Sequence, residues 1–409
     1  MCAYSFSGTV GATIASALIA AHNYRGVKIR VIGEHDNITT APWNTLRNAG
    51  ITVIDDAYDL LNAGNGLMHN KFYIFDHRDT ARVDWVVTGS WNATDPGTNA
   101  DAQNMIEIQD GSLAEAYTIE FNEMWGSSGD SPNQSESRFG ARKTDNTPHR
   151  FTIAGYAMEL YFSPSDKTTS KINAALNAAT SSIDVCMYTF TRDDLAATLI
   201  EKQSAGKKVH VVMDNNTDSG NEFSTLENAG VDVLLKAASL TGLLHHKYAV
   251  IDAEDFSLNS VVLTGSHNWS SAAETANNEN ELIIHSQHIA NLYLQEFKQR
   301  YVDAGGSDDI LLSVNASAAE APASYELRQN YPNPFNPSTR IQFSIVDARF
   351  VSVKVYDILG KEVATLVNEK MNPGIYTVAW NAARLSSGIY FVRLQAGKFS
   401  AVRKVVLMK

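Results

Sequence analysis

The chain has 409 residues, 44% hydrophobic and 19% charged, enough for two to four ordinary globular domains, and no run of 18 apolar residues that could cross a membrane as a helix. Its formal net charge of −12 is uneven: residues 325–409 hold 12 Lys and Arg against 5 Asp and Glu, a net of +7, which leaves 21 against 40, a net of −19, for residues 1–324. Nucleic acid is held non-specifically by neutralising its phosphates, so this balance argues against a broad basic groove and leaves room only for a local patch.

Taken from the start, the first stretch with chemistry is His69-Asn70-Lys71, followed by Asp76 and then Gly89-Ser90-Trp91-Asn92. Residues 127–150 are polar, turn-rich and without apolar periodicity, and read as a connection. Beyond them Glu159 to Phe162 reads as a strand, Lys171 to Ala179 as a helix, Ile183 to Phe190 as a strand, Leu195 to Ser204 as a helix and Val209 to Met213 as a buried strand. Alternating strands and helices predict an α/β sheet covered on both faces. The letters of the first motif then return as His245-His246-Lys247, Asp252 and Gly265-Ser266-His267-Asn268, with the same 7 residues from His to Asp and the same 20 from His to Gly. The offset of 176 also relates Asn104 to Asn280, Tyr117 to Tyr293 and Phe121 to Phe297, so the chain carries an internal duplication. Near the start Tyr4 matches Tyr188, and the counterpart of Glu159 to Asp184 is not found ahead of Met1. The expectation is a longer protein, with a signal peptide, a strand, a helix and most of a second strand upstream.

Residues 305–324 are rich in Gly, Ala and Ser and read as a second linker. From Tyr325 the pattern becomes all-β: Ser338 to Ile345, Val351 to Asp357, Gly374 to Trp380, Gly388 to Gln395 and Ser400 to Lys409 predict a small sandwich. The expected domains are therefore 1–126, a first half lacking its opening strand, and 151–304, a second half, followed by the sandwich at 325–409. Cys2 and Cys186 occupy matching contexts and read as small buried strand residues.

His-x-Lys-x4-Asp followed by Gly-Ser-x-Asn, twice in one chain, resembles the phospholipase D superfamily over residues 1 to about 304. The resemblance implies two α/β/α halves face to face about a pseudo-two-fold axis, each contributing one catalytic histidine. A phosphodiester repels nucleophiles with its own negative oxygens, so positive charge and donors must come first, and Lys71, Lys247, Asn92 and Asn268 suit that task. One of His69 and His245 would attack phosphorus while the other protonates the departing alkoxide, through a phosphohistidine. Supporting roles fall to Asp76, Asp252, Ser90, Ser266, Gln103 and Glu279, with Asp76 and Asp252 structural; His246 and His267 are candidates for substrate contacts. Gln103 and Glu279 stand 13 residues past the motif serines, a position that in the family bonds the far nitrogen of the catalytic imidazole. The expectation is that Glu279 raises the pKa of His245 and makes it the general acid, while Gln103 leaves His69 as the nucleophile. Neither zinc nor calcium spacing is present, so no cofactor or metal is expected.

The tail, with Tyr331-Pro332-Asn333-Pro334-Phe335-Asn336-Pro337, Val355-Tyr356-Asp357-Ile358-Leu359-Gly360, Ser387-Gly388-Ile389-Tyr390-Phe391 and Lys404 to Lys409, resembles the type A C-terminal sorting domain of type IX secretion substrates. It implies a secreted or surface location in a Gram-negative cell, with the secretion machinery as partner. Together the two resemblances imply a secreted phospholipase D-type hydrolase of phospholipid head-group esters, with a nuclease of the same superfamily as the alternative and a non-catalytic surface protein as a remote one.

Overall fold

Short β-branched runs bounded by turn residues become strands, and stretches with apolar residues three and four apart become helices. In the computed structural model, which describes residues 1–62, 65–79, 83–254, 259–312, 324–347, 349–371 and 373–409, the first half runs β1 (Cys2–Ala3), α1 (Gly8–Arg25), β2 (Arg30–Gly33), α2 (Ala41–Asn48), β3 (Thr52–Asp55), β4 (Phe72–Phe75), β5 (Trp85–Gly89), α3 (Asp95–Asn99), β6 (Met105–Gln109) and α4 (Gly111–Trp125). The second half runs β7 (Arg150–Ile153), β8 (Tyr156–Ser163), α5 (Thr168–Ala178), β9 (Ser182–Met187), α6 (Asp193–Ser204), β10 (Lys208–Met213), α7 (Phe223–Asn228), β11 (Asp232–Leu235), β12 (Lys247–Ile251), β13 (Val261–Gly265), α8 (Ser271–Thr275), β14 (Glu279–His285) and α9 (Gln287–Asp303).

Each half forms one mixed sheet, in the order β3-β2-β1-β4-β5-β6 and β11-β10-β9-β12-β13-β14-β8-β7. The first three strands of either set are parallel and the rest antiparallel, so β1 to β6 repeat as β9 to β14. Both cysteines are buried and unpaired, as their strand context predicts. The two halves belong to one compact unit, Met1–Asp252 with Ser257–Ile310. They are joined by matching β-bridges, Met68 with Asn278 and Ala102 with Leu244. No helix among the described residues is long and apolar enough to cross a membrane.

The stretch 127–150 does more than connect. Ser137, Phe139 and Lys143 are buried, the backbone N–H of Phe139 donates to Asp59, and that of Gly140 donates to Asn278 of the other half. One apolar residue and a few polar anchors hold it, which is why no periodicity betrayed it. Its Lys143 pairs with Glu120 of α4, both side chains fully buried, and burial raises the Glu120 carboxyl to about 7 although Lys143 opposes the shift. Lys143→Ala should leave that carboxylate without its counter-ion and cost about 3 kcal/mol, since breaking a buried pair exposes the full desolvation penalty. Without Lys143 the Glu120 carboxyl rises further still, so variant and wild type diverge only above the wild-type value of about 7, and the loss should grow as pH rises from there. Urea unfolding across that range measures it, and Glu120→Leu combined with Lys143→Met should recover most of the stability.

A second compact unit comprises Leu311–Lys409 with Ala253–Phe256. Its antiparallel strands are β15 (Glu326–Leu327), β16 (Ser338–Ile345), β17 (Arg349–Tyr356), β18 (Glu362–Met371), β19 (Gly374–Asn381), β20 (Gly388–Ala396) and β21 (Phe399–Leu407), in sheets β15-β16-β19 and β18-β17-β20-β21. Alternate residues Val351, Val353 and Val355 of β17 and Tyr390, Val392 and Leu394 of β20 point into one core with Phe343 and Trp380. Within the linker expected at 305–324, residues 313–323 lie outside the described residues.

Candidate active site

His69 and His245 each sit directly before a strand, and in each half the lysine two residues on donates its Nζ to the histidine carbonyl, at 2.8 Å for Lys71 and 3.0 Å for Lys247. The backbone of each histidine is anchored by the opposite half: the N–H of His69 donates to the carbonyl of Asn278, and that of His245 to the carbonyl of Ala102. Both motifs are thus drawn to the axis between the halves. The motif glycines have a steric reason. A Cβ on Gly89 would stand 2.4 Å from the carbonyl oxygen of Asn104, and one on Gly265 stands 2.2 Å from that of Asn280. Those same carbonyls accept from the N–H of Ser90 and Ser266.

The partners of the imidazoles are exchanged relative to the sequence expectation. Glu279 Oε2 lies 2.7 Å from Nδ1 of His69, and Gln103 Oε1 lies 2.9 Å from Nδ1 of His245, where the carbonyl of Ser90 is a second acceptor at 3.1 Å. The pairing of Glu279 with His245 is therefore corrected. β14 starts where His69 enters from the other half, so a residue near in sequence to one histidine reaches the other. In both cases acceptors claim Nδ1–H, which leaves Nε2 as the reactive nitrogen, a lone pair in the neutral ring and a donatable proton in the cationic one.

Electrostatics follow from burial. Burial lowers His69 to about 4 against the upward pull of Glu279, with Lys71 adding to the fall. His245 is held well below its usual value by burial and then by Lys247 and Lys71. Burial takes Lys71 down to about 7 and Lys247 well down. Burial alone would raise Glu279, but His69 and Lys71 outweigh it and hold the carboxyl at about 2. The site is a dense set of cationic groups kept short of protons, waiting for an anion whose arrival would favour their charged forms. Oδ1 of Asn92 and Oδ1 of Asn268 are buried without a hydrogen-bond partner in the structure, marking side chains of the site with unused polar capacity.

Other expected residues settle differently. Ser266 donates to Glu279 and Ser90 accepts from the Asn104 N–H, so the serines hold the scaffold behind the histidines. Asp252 accepts from the backbone N–H groups of Thr180, Ser181 and Ser182, pinning the start of β9, and it stands at the end of β12 remote from Lys247, consistent with a structural role. Asp76 likewise follows the far end of β4. His246 is buried between Glu296 and Asn104, and His267 is buried 3.7 Å from Glu274, so neither is placed as an open substrate contact. Two residues were missed: the rings of Tyr4 and Tyr188 pack on His69 and His245, with centroids 4.6 and 4.7 Å apart, and each lies 4.8 Å from the Nζ of Lys71 or Lys247. Their match across the repeat was the available signal. Among the described residues, groups able to hold a metal, such as Asp145 with His149 and Asp166, or His210 with Asp232 and Asp308, do not include His69 or His245.

The family model described as cardiolipin synthase, PLD-like domain, matches residues 1–125 and 172–301, and that described as secretion system C-terminal sorting domain matches residues 329–408. A mitochondrial cardiolipin hydrolase of Xenopus tropicalis is 37% identical over 136 residues, covering 33% of this chain and 61% of that protein. A phospholipase D of Rickettsia conorii is 30% identical over 141 residues, covering 34% of this chain and 66% of that protein. The phosphatidylserine synthase of Haemophilus influenzae Rd KW20 superimposes with a TM-score of 0.50 at 12% identity over 74% of this chain and 80% of its own, a likeness of fold. The chain spans about six-tenths of the length of the curated cardiolipin hydrolases it matches.

Proposed function

Because the chain belongs to the PLD-like family and ends in a secretion sorting domain, we propose that it is a secreted phosphodiester hydrolase that cleaves a phospholipid head-group ester. The observation that carries this reading is the pair of buried imidazoles, each with Nδ1–H claimed by an acceptor and each beside a lysine. Nε2 of His69 attacks phosphorus and the bond to the head-group oxygen breaks as Nε2–H of His245 gives that oxygen its proton. His245 then takes a proton from water, the new P–O bond forms and the P–N bond breaks, releasing phosphatidic acid. Lys71 and Lys247 balance the phosphoryl charge throughout.

His69 is assigned the attack on new grounds. A phosphorylated imidazole that keeps its Nδ1–H carries positive charge, and the carboxylate 2.7 Å from that nitrogen stabilises it. The general acid has the opposite need, to give its proton away, and the neutral amide of Gln103 does not hold it back. The lipid reading draws on the cardiolipin hydrolases and phospholipase D among the relatives and on the net charge of −19 over residues 1–324. The sorting domain is assigned to the type IX route out of a Gram-negative cell.

Vesicles of phosphatidylcholine or cardiolipin, and separately single-stranded DNA, should be incubated with the protein in EDTA. Phosphatidic acid formation from vesicles with DNA left intact is the expected result. Cleaved DNA with intact lipid would transfer the same machinery to a nuclease.

A further inference from the structure

The two segments that lead into the histidines of the site are unlike the rest of the surface. Residues 57–68 and 237–244 hold one charged residue, Asp59, in a chain that is 19% charged. The first segment runs from the end of β3 to His69 and the second from the end of β11 to His245, so both lie at the sheet ends that carry the histidines. Their inner ends border the site. The N–H of Leu67 donates to Asn277, whose amide donates to Glu279, the carboxylate on His69. In the other half the N–H groups of Leu243 and Leu244 donate to Asp101 and Asp214.

The first segment is also the longer. Asp55 pairs with Gly33 and Leu235 with Met213, so Asp56 corresponds to Lys236, while Leu67 corresponds to Leu243 at the repeat offset of 176. From Asp56 to Leu67 is 11 residues and from Lys236 to Leu243 is 7, so the first half carries four more. This longer loop displays Leu60 and Leu61, which are 69% and 79% exposed, and Leu243 opposite is 38% exposed. Its base is fixed. Asp59 is buried, accepts from the N–H groups of Leu61, Asn62 and Phe139, and pairs with Arg142. A lone exposed leucine is ordinary, but an adjacent pair held out by a stapled turn beside a reactive site marks a contact surface.

The phospholipid reading above supplies the occupant on which this rests: we propose that Leu60 and Leu61, with Leu243 on the other half, insert into the surface of a zwitterionic phospholipid bilayer and hold the site against it. His69 and His245 are 5% exposed and a lipid phosphate lies at head-group depth, so the rim has to enter that layer for the phosphate to reach them. A rim without charge enters it without a desolvation cost. The net charge of −19 over residues 1–324 disfavours a strongly anionic membrane, which leaves apolar insertion to supply the affinity. The same segments contain neither Lys nor Arg, so they offer nothing to the phosphates of a nucleic acid.

Cosedimentation of the full chain with phosphatidylcholine vesicles reads docking without turnover. Leu60→Ser combined with Leu61→Ser should weaken binding about tenfold, and added salt should leave wild-type binding unchanged, because apolar contact supplies it. Cleavage of the vesicles should fall by the same factor, while cleavage of dihexanoyl-phosphatidylcholine below its micelle concentration stays at the wild-type rate. Cys2 and Cys186 are buried, so a polarity-sensitive fluorophore on Leu61→Cys reports on that position alone and should shift to shorter wavelength on vesicles. Wild-type binding by the double variant, an unshifted label, or an equal loss on the monomeric lipid would each overturn the proposal. So would a dimer that forms without vesicles and is lost with the leucines, which would assign them to a second copy. Leucine-dependent vesicle binding with only DNA cleaved would keep the docking surface and remove the phospholipid-hydrolase reading.

Discussion

His69→Asn is expected to lower turnover at least about 10⁴-fold and to abolish any covalent phosphoenzyme, because the group that divides a hard displacement into two easier ones is gone. The loss should not be shared equally with the other half. In His245→Asn the attacking nitrogen remains and only the proton for the leaving group is missing. A phosphodiester whose leaving group is p-nitrophenolate needs that proton far less, so this variant should still show a burst of nitrophenolate, followed by stalled hydrolysis. His69→Asn should show no burst with the same substrate. Acid quenching with a phosphorus-labelled substrate, followed by peptide mapping, locates the adduct directly. Label on His245, or a burst retained by His69→Asn, would exchange the two roles.

Much of this site was legible in the letters because the chemistry is local: His, Lys and Asn recur at fixed spacing, and each set is carried at the end of a strand. The sandwich was legible for the same reason, its strands alternating strictly between core and surface. What spacing cannot convey is which half a side chain enters. Glu279 belongs in sequence with His245, yet the bond between the His69 N–H and the Asn278 carbonyl brings the start of β14 to the other histidine. The same limit hid the buried Lys143, whose partner Glu120 lies 23 residues away in a helix. β18 escaped for a different reason: it is the border strand of its sheet, and Asn368-Glu369-Lys370 breaks the apolar alternation. Tyr4 and Tyr188 look like ordinary strand-end aromatics until the fold lays them on the imidazoles.

Glu279→Gln should separate orientation from charge. The amide oxygen can still accept from Nδ1–H of His69, so the replacement reproduces the arrangement that Gln103 already gives His245. If Glu279 only fixed the ring, the rate would survive. If it stabilises the positive charge that forms on His69 as the P–N bond is made, turnover should fall about 100- to 1,000-fold, the scale on which buried charged donors and acceptors act in transition states. The pH profile distinguishes this from general damage. His69 is already lowered to about 4 by burial, and Glu279 is the neighbour that pulls it upward. Without the carboxylate His69 becomes harder to protonate, so the acid limb of kcat/KM, which reports loss of the neutral nucleophile, should move to lower pH. Stability falls with pH in two ranges, each set by a different group. Wild-type protein should lose stability as pH falls from about 6.5 to 4, where the unfolded chain protonates His69 more readily than the folded one does. It should lose more as pH falls from about 4.5 to 2, where the depressed Glu279 carboxyl gives up its advantage. Glu279→Gln should keep the first loss and lack the second. A variant with wild-type turnover, or with its acid limb moved to higher pH, would remove Glu279 from the mechanism and with it the physical reason for assigning the attack to His69.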